Sequence, residues 1–341
     1  MTPRRPSPGS TFLRSSRAVT FLICLLAAAA AYGQPGRAGQ RTAGHLVESV
    51  VLADYGGNWY TVPAAINNRG EIAGWASRGE DEWVAFVRSP RGQYEDIAER
   101  AFPYDINNRG EVVGVLFPCS GDECWREGFF WSREQGLQNL GSFLPSAVND
   151  RGDMAGVCDA LSQACVMRDN VVASIADPGS QAHGINARGD VVGIYGDNRA
   201  FHLSPDWQFN DIGRAVASDV NDRGIIAGHR WAEIGAQGER AMVTAWTKEG
   251  ALSPAHEVGV GISINRRGWV IAYGYDANEE SFSFIWDPGT NARVMLVSAA
   301  GGRVQFEDLN DRGDVVGRTD MGAVIWHVGQ KDLSAPAGGR R

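Results

Sequence analysis

Ile66-Asn67-Asn68-Arg69-Gly70-Glu71-Ile72-Ala73-Gly74 is a sentence that this chain repeats. It returns as Ile106-Asn107-Asn108-Arg109-Gly110-Glu111-Val112-Val113-Gly114 and as Val148-Asn149-Asp150-Arg151-Gly152-Asp153-Met154-Ala155-Gly156. Further copies start at Ile185, Val220, Ile264 and Leu309. The motif asparagines fall at 67, 107, 149, 186, 221, 265 and 310, at steps of 40, 42, 37, 35, 44 and 45 residues. A period of this length marks one supersecondary unit that leans on its neighbours.

Within each unit the pattern is β. The apolar residue before each asparagine ends a short strand. Asn-x-Arg-Gly is a tight turn in which the asparagine side chain caps the backbone and glycine takes the left-handed conformation. This assigns structural turn roles to Asn67 and Gly70, Asn107 and Gly110, Asn149 and Gly152, Asn186 and Gly189, Asn221 and Gly224, Asn265 and Gly268, and Asn310 and Gly313. A second strand follows, whose glycine admits a close neighbour. A third carries aromatics two residues apart, as in Phe129 and Trp131 or Phe284 and Trp286, with Phe86, Phe201, Trp246 and Trp326 in matching slots. Period-two spacing puts such a pair on one face of a strand. Tyr94–Ile97, Leu137–Leu140 and Phe209–Ile212 supply a fourth. About 40 residues and up to four strands per unit predict an all-β fold, a β-propeller of seven blades closed into a ring. Val47–Leu52 and Lys331–Leu333 both resemble fourth strands, so one of them is expected to complete the blade begun at the other terminus.

Outside the repeats, Arg4, Arg5, Arg14 and Arg17 precede an apolar run from Ala18 to Ala31, and Ala31-Tyr32-Gly33 offers small residues for cleavage. Residues 1–33 therefore have the form of a secretory signal peptide, with 34–44 a flexible leader, 45–333 the seven-repeat propeller and 334–341 a disordered tail. The run is too short for a membrane span, so a released product, secreted or periplasmic, is expected, with no membrane attachment after signal removal. Residues 1–33 hold four of the 32 Lys and Arg and none of the 40 Asp and Glu, leaving 28 against 40, or −12. A field of that sign repels phosphate backbones, which argues against nucleic acid as a partner. Four cysteines remain beyond the signal, Cys119, Cys124, Cys158 and Cys165. An even, clustered set in an exported chain predicts local disulfides, Cys119–Cys124 and Cys158–Cys165, with a four-thiolate zinc site as the alternative.

The unit Ile-Asn-x-x-Gly-x-Val-x-Gly, with Ala85-Phe86, Gly128-Phe129-Phe130-Trp131 and Ala200-Phe201-His202-Leu203 downstream, resembles the bacterial extracellular repeat, HAF family. The resemblance spans about residues 45 to 333. It implies an exported, propeller-like repeat protein and brings no catalytic residues with it. The family's histidine is missing before Ala85-Phe86 and Ala200-Phe201, Ala272 replaces a motif glycine, and Cys165 occupies an aromatic slot.

Candidate sites are sparse. Arg151-Gly152-Asp153, Arg188-Gly189-Asp190 and Arg312-Gly313-Asp314 match an integrin-binding tripeptide, but Arg69-Gly70-Glu71 fills the same slot, so the match is a by-product of the turn. Calcium at these turns is disfavoured because an arginine stands mid-loop where an oxygen ligand belongs. The two residues before each motif's apolar position vary most. Tyr104, Asp105, His183, Asp219 and Asp308 fall there as candidate channel-lining residues, with the three aspartates either forming an axial cation or ligand site or bonding amides of the adjacent blade. The six histidines show no metal spacing, and no nucleophile elbow or phosphate loop is present, so no catalytic residue, metal ligand or cofactor is assigned. The expected function is a non-catalytic binding or structural module, with a polysaccharide or envelope protein as ligand. The alternative is a carbohydrate-active hydrolase or lyase working at the central channel.

Overall fold

A computed structural model describes residues 45–333, except positions 53, 57–58, 80–81, 121–122, 159–161, 235–237, 248–249, 253–256 and 277. The signal segment, leader and tail expected at 1–33, 34–44 and 334–341 lie outside the described residues.

The architecture is a seven-bladed β-propeller. Blade 1 is built from Tyr60–Ile66, Ile72–Ser77, Trp83–Arg88 and Tyr94–Glu99, each antiparallel to the last. Blades 2 and 3 repeat this over 101–141 and 143–178. Blades 4 and 5 share one strand, Phe209–Val220, whose first half is the outer strand of blade 4 and whose second half is the inner strand of blade 5. Blades 6 and 7 occupy 259–297 and 304–327.

The N-terminal residues close the ring. Val50–Val51 pairs antiparallel with Gly322–His327 and supplies the fourth strand of blade 7. His45–Glu48 adds a parallel fifth strand to blade 6 beside Ala292–Val297. The single strand expected at Val47–Leu52 is thus broken at Ser49 and serves two blades. Lys331–Leu333 forms a turn, with Leu333 buried against the cluster around Trp269 and Trp326.

The core lies between blades, where period-two residues meet. Phe129 with Trp131, and Phe284 with Trp286, each fall in one cluster beside the neighbouring blade's alanines. The second motif glycine lets the inner strand of its own blade approach closely. A Cβ on Gly74 would stand 2.5 Å from the Val62 carbonyl oxygen, and those on Gly114, Gly156, Gly193, Gly228 and Gly317 would lie closer still to the equivalent carbonyls. In blade 6 Ala272 takes the position, and the residue opposite is itself glycine, Gly261. Gly317→Ala is therefore expected to cost about 2–4 kcal/mol by forcing the inner strand of blade 7 outward, read as a lowered denaturation midpoint at unchanged m.

Both disulfides are formed. Cys119 and Cys124 face each other across a small hairpin between the second and third strands of blade 2. Cys165 lies inside the third strand of blade 3, opposite Gly156, in the slot where Phe86 and Phe129 stand opposite Gly74 and Gly114. A half-cystine thus fills an aromatic's place. Loops this short give each bridge at best about 2–3 kcal/mol on the chain-entropy estimate. Reduction is expected to lower the melting temperature by a few degrees without unfolding the ring at 25 °C, with thiol-specific labelling showing which bridge opens.

Candidate functional site

Five of the seven motif turns use their asparagine side chain four ways, and those of Asn221 and Asn265, where Ile225 and Trp269 replace the motif acid, use it three ways. Asn107 Oδ1 accepts from the amides of Arg109 and Glu111, both at 3.0 Å, while Gly110 donates to the Asn107 carbonyl and takes φ of 82°. That much is local capping. The other end of the side chain faces outward from the turn: Asn107 Nδ2 donates to Glu111 Oε2 at 2.6 Å and to the Asn149 carbonyl of the next blade at 2.8 Å. The same bond joins 67 to 107, 149 to 186, 186 to 221, 221 to 265, 265 to 310, and finally 310 back to 67 at 3.1 Å. Seven buried amides donate head to tail around the axis.

A second, less complete circle lies just outside it. The amide after each asparagine donates to the side chain at the same position one blade on: Asn68 to Asn108, Asn108 to Asp150, Ala187 to Asp222, Arg266 to Asp311, and Asp311 to Asn68. Ala187 and Arg266 carry no acceptor, so the links into them are missing. These residues and the asparagines line a pocket of about 180 Å³ at this mouth of the channel, with Asp150, Asp222 and Asp311 on its rim.

The motif acid is consumed by the turn. Glu71, Glu111, Asp153, Asp190 and Asp314 each pair with the arginine two residues earlier, at 2.5 to 2.9 Å. Four of them, all but Asp153, are buried. Burial works against ionisation of Asp190, yet His202, Asn186 and Arg188 together hold its carboxyl at about 2. The arginine heads are half exposed, so these pairs add little stability. The carboxylate of the Arg-Gly-Asp triplets points back into the protein instead of toward a receptor.

Deeper in the channel, every inner strand has a β-bulge at the variable position before the axial one, at 64, 104, 146, 183, 218, 262 and 307. The extra residue turns two consecutive side chains toward the neighbouring blade. Asp105 Oδ2 accepts from Val148 N–H at 2.7 Å, Asp219 Oδ2 from Ile264 N–H at 2.9 Å, and Asp308 Oδ2 from Ile66 N–H at 2.9 Å. Each aspartate therefore holds the next blade by its backbone. Ser146 Oγ and Ser218 Oγ do the same one level away, donating to the carbonyls of Ala182 and Gly261, and His183 Nδ1 bonds the Ala217 carbonyl at 2.8 Å. Tyr104 occupies the equivalent bulge in blade 2.

These acids are hard to ionise. Burial, together with the charges of Asp308 and Asp219, pushes Asp105 up to about 7 against the pull of two amides. Burial and Asp308 raise Asp219 to about 6, burial raises Asp308, and burial lifts Glu307 to about 7. Ser263 Oγ stands 3.0 Å from Asp219 and 2.9 Å from Asp308. One hydroxyl proton cannot serve both carboxylates, so the bridge is complete when one carboxyl carries a proton and donates. On the basic side, burial lowers His183, and burial plus its neighbour His183 lowers His229 to about 4. Among the described residues no three His, Cys, Asp or Glu side chains are placed to hold a metal ion.

No known protein-family model matches the chain, and no characterised protein matches it in sequence. Solved structures do resemble it. The β-propeller domain of the trilobed protease from Pyrococcus furiosus aligns with a TM-score of 0.57 at 12% identity, over 78% of this chain and 95% of that one. Pyrococcus horikoshii acylaminoacyl peptidase aligns with a TM-score of 0.50 at 9% identity, over 79% of this chain and 51% of that one, so the match spans about half of the peptidase. At such identities the likeness shows a propeller and nothing about substrate.

Proposed function

We propose that this chain is an exported, non-catalytic binding or structural module of the HAF-repeat kind, presenting loops from a rigid ring to a polysaccharide or an envelope protein. The observation that carries this reading is what the axial acids do. Asp105, Asp219 and Asp308, the groups best placed for chemistry, are each engaged by an amide of the next blade. Recognition then falls to the exposed ends of the blades, where large aromatics stand in solvent: Trp125 and Trp207 in loops, and Tyr60 at the start of an inner strand, are each close to half exposed. Two disulfides suit an oxidising environment, and among the described residues no helix is long and apolar enough to cross a membrane. An array of defined glycans and a pull-down from isolated cell envelope, both with residues 34–341, test the module reading. Retention by neither contradicts it.

Glu307 favours a second reading. A carboxyl held near 7 suits a general acid, as a carbohydrate hydrolase or lyase at the channel requires. Release of reducing ends or unsaturated sugars from any polysaccharide in the same panel decides for it.

A further inference from the structure

Two blades use nearly the same turn between their third and outer strands. Blade 1 has Ser89-Pro90-Arg91-Gly92-Gln93 and blade 4 has Ser204-Pro205-Asp206-Trp207-Gln208. The bonds are also the same. Gly92 and Trp207 donate to the Ser89 and Ser204 carbonyls at 2.9 and 3.0 Å, and Ser89 and Ser204 donate to the Gln93 and Gln208 carbonyls. Gln93 and Gln208 N–H each bond the serine hydroxyl, at 3.1 and 3.0 Å. The fourth residue is left-handed in both, with φ of 85° at Gly92 and 66° at Trp207. The corresponding turns of other blades put Gly136, Asn170 and Asn291 in that conformation. Glycine and asparagine tolerate it, whereas a bulky side chain there is strained.

Blade 4 accepts that strain and gains no core packing by it, since the Trp207 side chain is 49% exposed. It is instead held from beneath. The Arg168 guanidinium, from blade 3, sits 5.0 Å from the indole centre and is itself fixed by the Gly189 carbonyl at 2.7 Å and the Pro205 carbonyl at 3.1 Å. A cation on one face of an indole leaves the other face for a ligand. Of the residues that follow and precede it, Asp206, Gln208 and Asn210 are polar and exposed, while Phe209 packs its ring against Phe201 and Tyr195. Flat aromatic surface beside carboxylate and amide groups matches a sugar ring, which offers C–H groups on its face and hydroxyls at its edge. A peptide ligand would call for an apolar groove, whereas three of the exposed side chains flanking the indole are polar.

We propose that Trp207, buttressed by Arg168, is the stacking platform for a pyranose unit of a polysaccharide. This rests on the module reading above and gives it a location, the blade 4 turn on the same end of the propeller as the asparagine circle. Affinity electrophoresis of residues 34–341 in gels containing xylan, hydroxyethylcellulose, glycol chitin, dextran or alginate tests it, with wild type compared against Trp207→Gly. Glycine is native to the slot in blade 1, so the variant is expected to melt at or above the wild-type temperature. It is expected to lose at least tenfold of the affinity for whichever polysaccharide retards the wild type. If both proteins are retarded equally, Trp207 is not the platform while the module reading stands. If Trp207→Gly melts clearly lower, the indole is structural and the proposal is overturned. If no polysaccharide retards the wild type, or only an isolated envelope protein binds it, the sugar assignment falls together with its location.

Discussion

Replacing Asn107 with alanine is expected to lower the melting temperature by roughly 10 °C, an effect out of proportion to one surface-turn residue. The side chain is buried and makes bonds to the amides of Arg109 and Glu111, to Glu111 Oε2 and to the Asn149 carbonyl. Each is worth about 1 kcal/mol, and the buried groups left behind add a penalty, so the loss is on the order of 4–6 kcal/mol. Asn107→Asp separates the two roles of the residue. Aspartate caps a turn as well as asparagine does, so a residue that mattered only locally would tolerate the change. In the ring it puts an oxygen where Nδ2 donated, against the Asn149 carbonyl and the Glu111 carboxylate. The aspartate variant is expected to melt at least as low as the alanine variant at pH 7 and to recover partly in acid. Calorimetry of the three proteins at pH 5 and pH 7 reads both effects. An aspartate variant as stable as wild type at pH 7 would remove the inter-blade circle from the account of stability.

Stability is also expected to be greatest in mild acid and to fall toward pH 8. Asp105, Asp219, Asp308 and Glu307 have folded pKa values raised above their unfolded ones. Their contribution is therefore fully present below about pH 4 and falls away as pH rises, through about 6 for Asp219 and about 7 for Asp105 and Glu307. His183 and His229 run the other way: their folded values are depressed, that of His229 to about 4, so they cost stability as pH falls below about 6.5. Four carboxyls outweigh two imidazoles across that window, and the net is a decline with rising pH. Below about pH 4 the depressed carboxylates Glu71, Asp190 and Asp314 take their own stabilisation away. The maximum is expected near pH 4–5, with a drop of several degrees by pH 8, on the order of a few kcal/mol. Asp219→Asn should flatten the slope because one titrating group is gone. Thermal scans in a constant-ionic-strength buffer series check this, and a melting temperature that rises steadily to pH 8 would contradict it.

The ring was legible in the sequence because every blade has to spell the same turn, and Asn-x-Arg-Gly is what an Asx-capped turn with a left-handed glycine looks like. What the asparagine does with its amide protons was not legible. Its partner lies 35 to 45 residues away, or 243 for the closing bond from Asn310 to Asn67, and is brought near only once the strands stand around an axis. The same holds for the axial aspartates. Their identity allowed either a cation site or a bond to the next blade, and only the register, with the bulge before each, puts Val148, Ile264 and Ile66 N–H within reach. The terminal strands were half legible: Val47–Leu52 resembles the fourth-strand segments of other units, but nothing in the spelling says that it parts at Ser49 to serve two blades. Trp207 gave no signal at all, because an indole in a turn looks ordinary until its φ is set beside that of Gly92.

The latch formed by residues 45–51 has a consequence for timing. Those strands find their partners at Ala292–Val297 and Gly322–His327, nearly the whole ring away in the chain. Those partners are synthesised last, and Asn310 cannot donate back to Asn67 until the seventh blade exists. Early blades can form locally, but the first strands must wait for the last. Closure is thus a single late event with a long search, and its rate, more than the stability of any one blade, should set how quickly the protein matures.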